Sequence, residues 1–213
     1  MTIPARSRTS GGKKIVKVLI LGDSWAADWS SKFDEYPGWP NLLSKKFDIT
    51  NVAQAGVSQF RIVKQLNNVN VDDFDRIVIS ITSPFRIYTP QHPVHKTGLH
   101  ANSDLILNDL RHQAKEFPDN AQLRSAIDFF EHHFDTDHAN FVNQLIVDHL
   151  LQRLDKDKTI VTGCIAHNDQ FVKNHKYVDG FDVWKRHKSV NVNHMTRKGN
   201  EIFAKIMEKN LSP

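Results

Sequence analysis

Ser24 lies in the stretch Lys17-Val18-Leu19-Ile20-Leu21-Gly22-Asp23-Ser24-Trp25, where an apolar run meets a glycine, an acid and a hydroxyl. A serine at a strand-to-helix turn can act as a nucleophile, because its own amide and those of the following turn can hold a developing oxyanion. The same Gly-Asp-Ser sequence also describes an ordinary turn or helix cap. A serine nucleophile needs a base, and His194 sits on a loop just before a C-terminal helix, from which an imidazole can reach the same rim. The plainer reading of His194 is a surface residue preceding that helix. With 12 histidines in the chain, its position alone decides nothing.

These residues need a scaffold that brings distant segments together. Ile15 to Leu21 reads as a strand closed by Gly22, and a helix is expected in the Ser31 to Phe47 region, interrupted by Tyr36-Pro37-Gly38-Trp39-Pro40. Ile49 to Val52 reads as a second strand that delivers Ala53-Gln54-Ala55-Gly56, and Ser58 to Leu66 as a helix with Phe60, Val63 and Leu66 on one side. Arg76 to Thr82 is a β-branched strand stopped by Pro84, and Lys158 to Ala166 is a fourth strand. Nearly continuous apolar strands alternating with helices predict an α/β domain with a buried parallel sheet. Ligands of such sheets gather at the carboxyl ends of the strands, which puts Ser24, Gly56 and the Ser83-Pro84-Phe85-Arg86 segment on one rim.

Residues 90 to 155 break this rhythm. A His-rich loop carrying His92, His95 and His100 precedes mostly helical sequence from Ser103 to Leu154. Part of it must be the crossover helix that parallel strands require, with Phe141, Leu145, Val147, His149, Leu150 and Leu154 as an uneven apolar stripe. The surplus, Asn102 to His133, reads as a helical insertion able to cover the rim as a lid. His167 to Val190 reads as a polar loop, and the last helix opens at a Thr196 cap with Ile202, Phe203, Ile206 and Met207 on one face. Residues 1 to 13 read as a flexible tail and 14 to 213 as one domain.

Composition removes several function classes. The chain of 213 residues is 39% hydrophobic and 24% charged, and its apolar runs fall far short of the residues a membrane span requires. A single cysteine, Cys164, excludes an internal disulfide and fits a reducing, cytoplasmic location. The net charge of +4 is small and its cations are scattered among acids, so nucleic acid is not an expected partner, nor is a membrane. No second or third glycine follows Gly22 to admit a pyrophosphate, and no cofactor is expected. His92, His95 and His100 in one loop, and Glu131, His132, His133, Asp135, Asp137 and His138 in another, lack the cysteines and spacing of a zinc site. Solvated polar helix ends account for them, and no metal is expected.

Three spaced segments resemble the GDSL or SGNH hydrolase superfamily. Ile20-Leu21-Gly22-Asp23-Ser24-Trp25 is similar to its nucleophile block, with Ser24 as the serine, and Asn51 to Ser58 to its second block, with Gly56 as the oxyanion glycine. Asn191 to Ala204 resembles its final block, with His194, Gly199 and Ala204 in step. The resemblance implies a flavodoxin-like three-layer α/β/α sandwich and ester hydrolysis through an acyl-serine intermediate. Residues 90 to 155 have no counterpart in it.

Two positions depart from the family pattern. Where the third block supplies an asparagine to the oxyanion hole, this chain has Ile81-Thr82-Ser83-Pro84-Phe85-Arg86; Ser83 stands nearest that place and Arg86 offers a charged donor. Where the final block has an acid, the chain has Asn191, whose carbonyl can orient an imidazole but cannot offset its charge. Asp179 or Asp182 are alternative partners, and a Ser-His dyad is a third arrangement. The expected chemistry is attack by Ser24 with His194 as base and Asn191 orienting it. Gly56, Ser83 and Arg86 serve the oxyanion or substrate, which would be a small-molecule or carbohydrate ester. Trp25, Trp29, Trp39 and Trp184 are candidate sugar platforms, although buried packing is the plainer reading, above all for Trp39. The competing class is a hydrolase-like scaffold that only binds; oligomeric state is not legible.

Overall fold

The computed structural model describes residues 15–29, 37–98, 100–165, 168–189 and 194–212. The tail expected over residues 1 to 13 lies outside them. Five strands, β1 (Lys17–Gly22), β2 (Asp48–Asn51), β3 (Arg76–Ser80), β4 (Thr159–Gly163) and β5 (Lys176–Asp179), form a parallel sheet in the order β2-β1-β3-β4-β5. This is the flavodoxin-like order, in which the chain reverses its direction of travel between β1 and β3.

Alternation along the strands supplies two apolar faces. Val18, Ile20, Val78 and Ile160 point to one, where they pack with Trp39 and Leu43 of α1 (Trp39–Leu43), Val183 of α6 (Phe181–His187), and Phe203, Met207 and Leu211 of α7 (Arg197–Leu211). Leu19, Leu21, Ile77, Ile79 and Val161 point to the other. There they meet Ile62, Val63 and Leu66 of α2 (Gln59–Asn67), and Val147, Leu150 and Leu151 of α5 (Thr136–Gln152). Both faces of the sheet are thereby removed from water, giving the three-layer α/β/α sandwich. Fully burying each such aliphatic side chain contributes about 1.5–3 kcal/mol.

Local sequence explains the element ends. The Ser58 side chain accepts from Arg61 N to start α2, and Thr196 accepts from Gly199 N at 3.3 Å to start α7. On α7 Phe203 and Met207 are buried as expected, with Ile202 and Ile206 packed at the margin. Three expectations fail. Phe60 faces outward at 43% exposure, and Ile62 takes its place beside Val63 and Leu66. The segment read as a polar loop from His167 to Val190 holds β5 and α6; β5 is an edge strand of which only Val178 is buried, so it lacks the apolar run that marks a central strand. Phe141 and Leu145 on α5 are exposed as well, leaving Val147, Leu150 and Leu151 to cover the sheet.

Between β3 and α5 the chain forms α3 (Leu107–Glu116) and α4 (Ala121–His132), a helical pair with its own small core of Leu110, Leu123 and Phe130. Among the described residues no helix is long and apolar enough to cross a membrane.

Candidate active site

The end of β1 is held very close to β3. Gly22 pairs with Ser80 in register, has φ +149°, and a Cβ there would fall 2.6 Å from the Ser80 Cβ, so only glycine fits. Gln65 of α2 clamps it from the other side, accepting from Gly22 N at 2.9 Å and donating to Gly22 O at 3.0 Å. This clamp leaves the next residues free to turn out of the sheet.

Asp23 begins that turn and is buried, accepting from Trp25 N at 3.1 Å and from the Ser80 hydroxyl at 3.2 Å. Burial pushes its carboxyl above the usual range, against the opposing hydrogen bond of Thr82 and the charge of Arg86. Ser24 follows, half-buried, in a turn closed by Ala26 N donating to Asp23 O at 3.1 Å. It caps none of the described helices: α1 starts only at Trp39, after Gly38. Of the helix expected over Ser31 to Phe47, the described part is α1, and around Ser24 the local amides belong to a turn.

Gly56 ends the segment after β2 with φ +73°, and a Cβ there would meet Ser103 Cβ at 2.5 Å. Its carbonyl accepts from Asp104 N at 2.7 Å and from Arg86 Nη1 at 3.4 Å. Among the described residues neither the Ser24 amide nor the Gly56 amide donates to a protein acceptor. Backbone N–H groups left over at strand ends are what an oxyanion requires.

After β3, Ser83 is buried and its hydroxyl accepts from Phe85 N at 3.2 Å, which makes it the pivot of a tight turn. Arg86 leaves that turn toward the rim. Its Nη1 also donates to Asp104 O at 3.4 Å, and Nη2 stands 3.6 Å from Asp109, so the guanidinium is held but its bonds are long. Its charge acts on Asp23, His194 and Cys164, which places it among them. Cys164 follows β4, and burial, with the nearby Asp23, pushes its thiol up, so it offers no competing nucleophile.

His194 enters from the start of α7. Its carbonyl accepts from Ser189 N at 2.8 Å, which fixes the chain just before Met195 and the Thr196 cap. The imidazole packs against Trp29, with ring centroids 4.9 Å apart, and the Trp29 indole Nε1 donates to Ser24 O at 2.8 Å. One side chain thus touches both Ser24 and His194. Burial, then the neighbouring His100 and Arg86, hold the His194 pKa down to about 4, so it is neutral and able to accept a proton at neutral pH. No carboxylate contributes to that balance among the described residues. Asn191 lies outside the described residues. Asp179 accepts from Phe181 N at 2.8 Å at the start of α6, and Asp182 is exposed on that helix; neither acts on His194.

The loop after Arg86 is fastened to the rim by a buried ion pair that the sequence does not announce. Asp104 is buried and accepts from Arg61 Nη2 at 2.8 Å, Arg61 Nε at 3.3 Å, Ser58 N at 2.7 Å and Thr89 N at 3.1 Å. His92 is likewise buried, its Nδ1 accepting from Val94 N at 3.1 Å and His95 N at 3.0 Å. Rings of His92, His95, His100, Trp29 and His194 follow one another at 4.6, 5.5, 6.2 and 4.9 Å between centroids. Among the described residues no group of three or more His, Cys, Asp or Glu could hold a metal ion. Trp25 and Trp39 are buried core residues, the latter donating to Trp25 O at 2.9 Å.

No family model matches the chain, and no curated protein matches it. Among solved structures it is similar to a lipase/acylhydrolase from Enterococcus faecalis, with a TM-score of 0.47 and 10% identity over 92% of this chain and 95% of that one.

Proposed function

We propose that the chain is a serine ester hydrolase of the SGNH or GDSL type, with Ser24 as nucleophile and His194 as general base. The observation that carries this is the bridge made by Trp29, whose indole binds Ser24 O and packs on the His194 ring at the β1/β3 switch point. In the proposed cycle His194 takes the Ser24 hydroxyl proton as Oγ attacks the ester carbonyl. The amides of Ser24 and Gly56 hold the oxyanion, with Arg86 supplying the charged donor where the family has an asparagine. His194 then protonates the departing alkoxide, and a water activated by the same imidazole hydrolyses the acyl-serine. Ser83 positions the Arg86 turn, because its hydroxyl is already engaged with Phe85 N. Asn191 remains the proposed orienting partner of His194. The substrate is an ester of a small molecule or carbohydrate, and Arg86 favours an acyl or alcohol portion with acceptor oxygens.

A fluorophosphonate probe tests the assignment. Labelling of the parent protein and its loss in Ser24→Ala are expected, together with a fall of about three orders of magnitude or more in p-nitrophenyl acetate turnover. Labelling that survives Ser24→Ala would remove Ser24 from the nucleophile role.

A second reading has one observation in its favour. No carboxylate supports His194 among the described residues, as would suit a hydrolase-like scaffold that binds an ester or sugar without cleaving it. Equal p-nitrophenyl acetate turnover by the parent and Ser24→Ala would select it.

A further inference from the structure

A catalytic carboxylate does two things for a histidine base: it orients the imidazole, and it offsets the charge that appears when the proton arrives. Neither service has an acidic provider among the described residues around His194. The side chain packed on the imidazole is Trp29. Its ring is tilted 54° to the imidazole at 4.9 Å between centroids, within the roughly 6 Å at which an indole face attracts a cation. Its Nε1 reaches back to Ser24 O at 2.8 Å, so the group that packs on the base also holds the backbone of the nucleophile. His100 stands 6.2 Å from the same indole, which limits how the ring can rotate.

We propose that Trp29 is a positioning residue that packs the His194 imidazole beside the Ser24 turn and presents a π face to the imidazolium formed during acyl transfer, supplying the charge offset of a carboxylate while Asn191 keeps the orienting role. The proposal rests on the serine hydrolase reading. In the step concerned, the bond from Ser24 Oγ to the acyl carbon forms and the ester C–O bond breaks, while the hydroxyl proton passes to a ring nitrogen of His194 and then to the departing alkoxide, which leaves as the alcohol. Trp29 exchanges no proton or electron; it acts only through the position and charge of His194. Neither Trp25 nor Trp39 can take this role, since both are packed in the core.

Two variants separate the parts. Trp29→Phe keeps a ring and removes the N–H to Ser24 O; Trp29→Leu removes both. The rate of labelling by a fluorophosphonate is expected to fall about threefold in the first and about tenfold or more in the second. The KM for p-nitrophenyl acetate should stay within about twofold while kcat carries the loss. In a His194→Ala background the Trp29 substitutions should have no further effect on the residual rate, because the group they act through is gone. A merely structural tryptophan would lower the rate equally in both backgrounds, and that result overturns the proposal, as does parent-like labelling of Trp29→Leu.

A spectroscopic arm needs no turnover. Indole emission should differ between the parent and His194→Ala, and this difference should vanish when both carry Trp29→Phe. An unchanged difference in the Trp29→Phe pair overturns the ring contact. If the parent is not labelled at Ser24, the hydrolase reading fails and this proposal with it; if the parent is labelled and Trp29→Leu matches it, the proposal alone fails.

Discussion

The rim at the ends of β1 and β3 and the helical segment between β3 and α5 are held by different means. The rim sits on strands whose two faces are covered by α1, α6 and α7 on one side and α2 and α5 on the other. The α3–α4 pair has only Leu110, Leu123 and Phe130 as its buried apolar centre, with Phe117 and Phe129 each 45% exposed at its surface. What fastens the beginning of that segment to the rim is polar: Asp104 with Arg61, Ser58 N and Thr89 N. Geometry at the rim is therefore imposed by close-packed backbone, and geometry in the added segment by a buried ion pair and its hydrogen bonds. A packed sheet spreads its stabilisation over many apolar contacts, whereas a polar fastening fails when one partner is removed.

Removing that fastening is the strongest way to break the contrast. Arg61→Met leaves the Asp104 carboxylate buried without its cation, and a loss of about 3–5 kcal/mol is expected in urea unfolding. Labelling of Ser24 should fall with it, because the Arg86 guanidinium leans on Asp104 O. Full labelling together with a stability loss below about 1 kcal/mol would show that the segment needs no ionic anchor.

Leu110→Ala tests the other side. A cavity in so small a core costs about 2–5 kcal/mol locally. Hydrogen exchange should accelerate in α3 and α4 while amides of β1 and β3 keep their protection. Acceleration spreading through the sheet would make the two regions one cooperative unit.

Acid sharpens the comparison, since each region holds one histidine whose pKa is lowered, His92 buried and His194 half-buried. Burial pushes His92 down to about 4, with help from His95 and Lys96, and His194 is also about 4. An unfolded histidine takes its proton near 6.5. The unfolded chain therefore binds more protons between about pH 6.5 and 4, and stability is fully present above that window and lost as pH falls through it. The loss is of order 3 kcal/mol for each histidine at most. His92→Asn should flatten the profile of unfolding free energy against pH, without moving the acid limb of labelling. A profile as steep as the parent's would exclude His92 as a contributor.

The smallest effect belongs to the exposed pair Arg111–Glu131, which joins α3 to α4 at 2.7 Å. Arg111→Ala should cost no more than about 1 kcal/mol and less at high salt. A larger loss by thermal unfolding would mean that charge, rather than the Leu110 cluster, holds the pair.

Much of the fold is legible in the sequence. Near-continuous apolar runs at Val18 to Leu21, Ile77 to Ile81 and Ile160 to Val161 specify central strands buried on both faces, and such strands are parallel and need helical crossovers. Gly22 before Asp23 and Ser24 marks the point where the first strand stops, and Thr196 marks the start of α7 through its own cap. These features are local: a strand's burial, a turn or a cap depends on a few neighbouring residues. β5 is not legible because an edge strand buries little, and Phe60 falls on the unexpected side because a short helix offers too few turns to fix its phase.

The tertiary structure decided what no window of sequence contains. Trp29 became a bridge only when β1 and the start of α7, far apart in the chain, met at one rim. Asp104 and Arg61 are ordinary charged residues until folding buries one against the other. The His194 imidazole owes its low pKa to burial and to His100 and Arg86, neither of which adjoins it in sequence. Periodicity is written in consecutive residues and survives as fold. Contact, burial and charge balance arise between residues that only the closed chain brings together, and the chemistry of the site depends on those.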